Sequence, residues 1–383
     1  MKKSALFLLL TVLASGCKGC DDKFSPTSPS PANSAVESDD STAAVPRING
    51  VELTSLNGWF AVIYPWEFFP EQSPIHPVPE LFTPNQKQNS IQIGFQEKLL
   101  NDSGSSADIL SFNPRNHWDY DHWSANYFGA SSRPFFLLYE HIRDGQNDFV
   151  MSGAKLEIDM NNPQNRQIFM EDIKIMFDRI VVPNRQRYVT VEGMAVIYMW
   201  ATGAMTGNFP SLLDEARSKY PVFFIGSGED SGNRERIKSF DGLMHYALPG
   251  FGGNYLAMTT NYHSQSIGLK MALDSTEHET GKKIYSFATF QAGYDETLVI
   301  PKRNPAQSVY PLSREEMEEH ARLISLGMHR WKIYDRPGPL VVFSELPEGG
   351  SVIPSLYKPE KTGRYVGYGT GRMDVVKKYF GGR

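Results

Sequence analysis

Eight short runs of large apolar residues recur along this chain: GWFAVIY (58–64), ADILSF (107–112), PFFLLY (134–139), GMAVIYMW (193–200), PVFFIG (221–226), DGLMHYAL (241–248), KKIYSFATF (282–290) and PLVVFSE (339–345). They are continuous rather than alternating, the pattern of strands covered on both faces. Segments of helical periodicity separate them: 162–180, with Ile168, Ile173 and Phe177 on one face, then 211–220, 254–276 and 313–331. In the last of these, Ser313 with Glu316 three residues on forms a capping box. Eight β runs separated by helical segments predict an α/β chain, a single-domain (β/α)8 TIM barrel. A doubly wound open sheet is the rival, but no Gly-rich phosphate fingerprint or Walker A sequence follows the first run. The glycines of GNFPS (207–211) and GFGGN (250–254) belong to turns.

The amino terminus belongs to a different part of the protein. Lys2 and Lys3 precede an apolar run, 5–14, and the small residues Ala14, Ser15 and Gly16 lead to Cys17. This is a secretory signal, too short for an ordinary membrane span. Its small residues ending on cysteine resemble a bacterial lipobox, with Leu13 one place earlier than that pattern prefers. Cleavage before Cys17 and lipidation of it are expected, with soluble secretion after ordinary cleavage as the alternative. Residues 18–46 are rich in Ser, Pro, Ala and Asp and cannot bury a core. The expected organisation is therefore a lipoprotein signal at 1–16, a flexible tether at 17–46 and the barrel at 47–383. A unit standing off a membrane on such a tether is placed in the cell envelope, at an outer membrane or on its surface.

Composition narrows the partners. Lys and Arg number 38 against 43 Asp and Glu, a net charge of -5, and no basic stripe reverses it. Duplex nucleic acid is thereby disfavoured. Both cysteines, Cys17 and Cys20, lie at the start, so the barrel has no thiol nucleophile or thiolate metal site. His117 and His122 are the nearest approach to a ligand pair, without a recognised metal spacing. No metal and no cofactor are expected.

In a barrel the chemistry belongs at the carboxyl ends of the strands. Reading those ends in order gives Tyr64 and Trp66, Asn113 and Arg115, Glu140 and His141, Tyr198 and Trp200, Glu229 and Asp230, His245 and Tyr246, Tyr294 and Asp295, and Glu345 with Glu348. Acids and aromatics dominate. Aromatic faces stack on sugar rings, carboxylates and amides bind hydroxyls, and a carboxyl pair moves protons, so this rim suits a polysaccharide or oligosaccharide. Within HWDYDHW (117–123), Trp118 or Trp123 is a candidate for stacking on a sugar, with packing of the helix as the alternative.

The segment PLVVFSELPEGGSVIPS (339–355) closes the argument. Glu345 ends an apolar strand, and Glu348 follows a proline and precedes two glycines, on a short loop that lets a ligand approach closely. Two neighbouring, partly desolvated carboxyls have pKa values pushed apart, one ionised as base and one protonated as acid. Glu345 and Glu348 are the expected catalytic pair, with Glu140 and Asp295 next in line.

This segment resembles the NEWHEGTQIEPS stretch at the last strand of glycoside hydrolase family 99, the endo-α-mannosidase-like barrels. AGYDETLVIP (292–301) is similar to that family's PGYD stretch, GMAVIYMW to its G-x-P strand, FDGLMHYAL to its sixth strand, and YEHIRDG (139–145) to its acid-plus-arginine turn. Ser344 and Leu346 replace Asn and Trp of the NEW triplet, Pro347 replaces His of HEG, and Ala292 replaces Pro of PGYD. The resemblance implies a retaining hydrolase acting on α-linked, α-mannan-like glycans. In it Glu345 removes a proton from the sugar 2-hydroxyl, and Glu348 protonates the leaving oxygen and later activates water. With the strand-end reading, the expected substrate contacts are Tyr64, Trp66, Asn113, Trp118, Glu140, Arg143, Tyr198, Tyr246, Tyr294 and Asp295. The replaced positions leave a second expectation beside the first, a glycan-binding lipoprotein on a barrel that has lost catalysis.

Overall fold

The computed structural model describes residues 45–64, 75–77, 90–141, 149–152, 157–227, 233–245, 255–295, 309–311, 313–335, 338–343, 352, 355–357 and 371–381. Eight strands form a parallel ring, and each is followed by a helix. The strands are β1 (Trp59–Ile63), β2 (Ser105–Phe112), β3 (Phe135–Tyr139), β4 (Met194–Met199), β5 (Val222–Ser227), β6 (Gly242–Met244), β7 in two halves (Tyr285–Phe287 and Thr289–Phe290) and β8 (Leu340–Val342). The helices are α1 (Ser90–Asp102), α2 (His117–His122), α3 (Pro163–Met176), α4 (Phe209–Lys219), α5 (Arg234–Ser239), α6 (Tyr255–Thr280), α7 (Arg314–His329) and α8 (Gly371–Phe380).

Closure is explicit in the register. Leu340, Val341 and Val342 of β8 lie beside Phe60, Ala61 and Val62 of β1, in parallel. The other seven neighbours pair in chain order, also in parallel. Three glycines allow the strands to start this close together. A Cβ on Gly338 would stand 1.9 Å from the Gly58 carbonyl oxygen, and one on Gly58 would stand 2.0 Å from that of Gly104. An alanine at either site forces backbone apart.

Alternation along the strands separates two cores. Phe60 and Phe136 meet edge to face inside the barrel, at 5.8 Å between centroids. Their neighbours Asp108, Tyr139, Phe224 and Phe290 turn outward to the helices. Asp108 accepts hydrogen bonds from Arg133 Nε (2.8 Å) and the Tyr127 hydroxyl (2.6 Å). Burial pushes the Asp108 carboxyl above its usual range, against the pull of Arg133. Breaking that pair from one side would strand a buried charge.

Helix ends follow local rules. Asn162 caps α3 by accepting from Gln164 N, with Pro163 opening the helix. Ser313 and Glu316 form the expected capping box on α7. Ile168, Ile173 and Phe177 are all buried, although the α-helix ends at Met176 and a π turn carries Phe177–Val181. Helix α6 runs on to Thr280, past the expected 276.

Among the described residues, the run at 241–248 is β-paired over Gly242–Met244 and that at 339–345 over Leu340–Val342, with 246–248 and 344–345 outside them. The run at 282–290 enters the sheet only at Tyr285, and the Lys282 ammonium before it bonds the Lys238 and Phe240 carbonyls. It then breaks at Ala288. There the Tyr262 hydroxyl on α6 accepts from Thr289 N (2.9 Å) and donates to Thr289 O (3.0 Å). The Ala288 carbonyl meanwhile accepts from Leu340 N (2.8 Å), so the ring stays closed across the break.

The floor of the barrel, at the amino ends of the strands, is sealed by the incoming chain. Val51–Glu52 pairs in parallel with Val189–Thr190, which folds back on β4 through a tight turn. Glu192 and Gly193 take φ values of 51° and 74° in that turn, the left-handed pair a two-residue hairpin requires. The Glu52 carboxylate accepts from Thr190 Oγ1 (3.0 Å), Glu192 N (3.0 Å) and Gly193 N (3.1 Å).

Behind β7, His320 of α7 stacks on Phe290 (5.6 Å, 23°), with His263 of α6 at 6.0 Å and Tyr262 at 5.5 Å. Both His320 ring nitrogens lack a hydrogen-bond partner, and burial pushes its pKa down to about 3. A folded value below the unfolded 6.5 means this contribution to stability is complete above pH 6.5 and is lost as pH falls toward 3. Between pH 6.5 and 5 the loss from His320 alone is about 2 kcal/mol. His320→Phe keeps the stacked ring without the titration, so its melting temperature should fall less than the wild type's between pH 7 and 5. Equal falls in both proteins would show that His320 does not titrate on unfolding.

Candidate active site

The ladder hydrogen bonds run one residue past several strand ends. Glu140 N donates to Phe112 O (3.1 Å) and Trp200 N to Tyr139 O (3.2 Å). Phe112 stands beside Tyr139, and Tyr139 beside Met199. The next residues in this register, Asn113, Glu140 and Trp200, are therefore side by side at the carboxyl ends of β2, β3 and β4. Tyr139 points outward, with its hydroxyl 2.6 Å from Asp172 Oδ2 on α3, so alternation turns all three of these toward the barrel axis. An amide, a carboxyl and an indole thus share one row of the mouth. Asn113 is 1% exposed and Glu140 7%, while Trp200 is half-buried.

The layer beneath carries Tyr64, Ser111, Leu138 and Tyr198 on the same inner face, by the same register. Tyr64 keeps 4% of its surface and Tyr198 none, so these two tyrosines support the row from below. Gln291, which follows β7 and is buried, continues the inner face of Thr289. It was missed in the sequence, where it reads as the polar end of an apolar run.

Asn113 is held tightly. Its backbone N–H donates to Asp119 Oδ2 (2.9 Å), and its side-chain Oδ1 accepts from Arg115 N (3.0 Å). The other Asp119 oxygen accepts from Asn116 Nδ2 (3.1 Å), which fixes α2 onto the loop. The Asn113 side-chain Nδ2 has no hydrogen-bond partner. Arg115 turns away from the mouth. Its Nε donates to Asp172 Oδ1 (2.5 Å) and its Nη2 to Ile168 O and Glu171 Oε2 (both 3.0 Å). Burial and the Asp172 carboxylate together keep the Tyr139 phenol far above its usual range, so it stays protonated.

Several residues of the expected rim face elsewhere. His141 is buried beside the rings of Tyr139 (5.6 Å) and Phe149 (6.3 Å), and burial pushes its pKa down to about 3. It is neutral at ordinary pH. His245 follows inward-facing Met244 and so turns outward, its ring 6.3 Å from Tyr262 on α6. Trp123 opens the π turn after α2 (Trp123–Tyr127), is fully buried and donates from Nε1 to Ser111 O (3.0 Å), so it packs that turn against β2 and is not a stacking surface. Trp118 lies within α2. Tyr294 and Asp295 belong to a strand after β7, Gly293–Asp295, paired antiparallel with Val309–Pro311.

The carboxyl pair Glu345 and Glu348, together with Trp66, Arg143, Glu229, Asp230, Tyr246 and Cys17, lies outside the described residues. Among the described residues no three His, Cys, Asp or Glu side chains gather as a metal site, and no helix is long and apolar enough to cross a membrane.

No protein-family model matches the chain, and no curated protein sequence matches it. Solved structures do. A protein described as glycoside hydrolase-like aligns over 85% of this chain and 94% of its own, with 12% identity and a TM-score of 0.62. The GH99 endo-α-mannosidase from Bacteroides thetaiotaomicron, solved with bis-tris-propane, aligns over 84% of this chain and 96% of its own, with 11% identity and a TM-score of 0.58. The same enzyme in a second structure gives a TM-score of 0.52. The chain therefore has a glycoside hydrolase-like (β/α)8 barrel fold; identity this low establishes the fold alone.

Because Asp119 satisfies both the Asn113 N–H and the Asn116 amide, Asp119→Ala should cost about 1–3 kcal/mol, the usual penalty for stranding buried donors. Urea denaturation measures it, and a midpoint equal to wild type would mean that water replaces the carboxylate at no cost.

Proposed function

We propose that this protein is a glycoside hydrolase that cleaves α-linked, α-mannan-like glycans with retention of configuration. The observation that carries this reading is the row Asn113, Glu140 and Trp200 on the inner face of the mouth. A buried amide donor, a carboxyl and a half-exposed indole are the groups a pyranose needs for its hydroxyls and its apolar face. The glycoside hydrolase-like barrel and the sequence segments that resemble family 99 support the same reading.

In the proposed reaction Glu345 and Glu348, which follow β8 in the chain, divide the work. Glu345 takes the proton of the sugar 2-hydroxyl as that oxygen attacks the anomeric carbon, and the C–O bond to the leaving group breaks. Glu348 gives its proton to the leaving oxygen and then removes one from the water that opens the strained intermediate at the anomeric carbon, while Glu345 returns its proton to the 2-oxygen. Tyr64 and Tyr198 stiffen the floor beneath. Trp66, Arg143, Tyr246, Tyr294 and Asp295 complete the proposed contacts to substrate.

A second reading is favoured by Ser344, Leu346 and Pro347, which replace the Asn, Trp and His of the family 99 segment. It makes the protein a glycan-binding module in which the acids only bind hydroxyls. We propose for either reading that Cys17 carries the lipid that holds the barrel in the cell envelope.

Release of reducing ends from a panel of α-mannans and α-glucans tests the enzyme directly. On a cleaved substrate, Glu345→Gln and Glu348→Gln should each lower turnover by roughly two to four orders of magnitude, the worth of a positioned acid or base, while binding persists. Glu360→Gln, in the polar KPEKTG stretch, is the control and should turn over normally. Near-normal rates in both variants would move the chemistry to Glu140 and Asp295. Glycans retarded in affinity gels but never shortened would select the binding module.

Mass spectrometry of the mature amino terminus tests the anchor. A diacylated or triacylated Cys17 is expected, and an unmodified terminus beginning after residue 17 would refute it.

A further inference from the structure

We infer that Trp200 is the aromatic platform of the mouth, the surface on which a sugar ring lies beside Glu140, and that the turn following it serves to hold the indole in place. This rests on reading the mouth as a glycan site. The sequence offers two aromatics at the end of β4, Tyr198 and Trp200, and the register separates them. Tyr198 belongs to the filled layer, while Trp200 stands one layer higher, beside Glu140, packed against the core yet still half-exposed. Among the described residues at the carboxyl ends of the strands, it is the inward aromatic that keeps open surface. A large indole in that position offers an apolar face to the C–H groups of a pyranose while the neighbouring amide and carboxyl take the hydroxyls.

The backbone after Trp200 is unusual. Ala201 has φ 49° and ψ 40°, the left-handed region, which alanine occupies only when its surroundings impose it. Those surroundings are on two other elements. Thr202 Oγ1 accepts from Ser227 N at the end of β5 (3.0 Å). Arg236 on α5 donates from Nη2 to Thr202 O and from Nη1 to Met205 O (both 2.6 Å), its guanidinium 4.9 Å from the Phe209 ring centroid. One arginine thus clamps both ends of the turn. Strain that neighbours over-determine beside a half-exposed aromatic is the pattern of a side chain presented for contact. Ordinary core packing would leave Trp200 covered and would not need the clamp.

The test uses the full chain and a glycan that the wild type cleaves or binds. Trp200→Leu removes the aromatic face but leaves an apolar side chain, and Trp200→Phe keeps an aromatic ring. Leu should raise KM, or Kd for a glycan that is only bound, about tenfold with kcat nearly unchanged, the signature of lost uniform binding, whereas Phe should stay within about threefold of wild type. Ala201→Gly relieves the left-handed strain and loosens the clamp, so melting temperature should hold or rise while KM rises severalfold. If Leu and Phe give equal KM values near wild type, the platform is refuted while the glycan reading stands. If both lower kcat and melting temperature together with no aromatic rescue, Trp200 is a packing residue and the inference falls. A wild type that neither cleaves nor retains any glycan of the panel overturns the glycan reading and this inference with it.

Discussion

The pairing of β8 with β1 is the constraint on which everything else depends. Leu340 must sit beside Phe60 for the ring to have no edge, and a closed ring buries every strand on both faces. That requirement explains the unbroken apolar runs and the glycines Gly338, Gly58 and Gly104, whose backbones nearly touch. The Asp108 carboxylate beside the strands is paired with Arg133 in the helix layer, while the amide and carboxyl of Asn113 and Glu140 stand at the mouth. A closed barrel leaves functional side chains little other place to stand.

Much of this was legible in the residues. The first five runs appear as strands within one or two residues of their expected limits, because continuous Val, Ile, Leu and Phe have few other ways to be buried. Ser313 and Glu316 formed their capping box because both groups lie within one turn of chain. The closing pair, 58–64 with 339–345, followed from counting strands. What could not be read depends on partners far away in the chain. The break of β7 at Ala288 is bridged by Tyr262 on another element, and no local pattern marks it.

The site divides in the same way. Asn113, Glu140 and Trp200 were visible as strand-end residues, yet their being neighbours depends on register across three strands. His245 illustrates the sensitivity. One residue of alternation separates the mouth from the helix layer, and Met244 occupies the inner position. His141 also stands at a strand end in the sequence, while burial beside Tyr139 and Phe149 leaves it neutral. Composition suggests a kind of chemistry, and parity decides which side chains take part in it.

The Glu52 clasp gives the barrel a mechanical polarity. The chain reaches the fold through the floor, where Ile48 N donates to Gly193 O (2.8 Å) and the Glu52 carboxylate grips the 190–193 hairpin, on the far side from the row at the mouth. Tension arriving along residues 45–50 is therefore delivered to the β4 hairpin before it can reach β1. The clasp acts as a strain relief: a pull on the incoming chain is spent on the floor, away from Glu140 and Trp200.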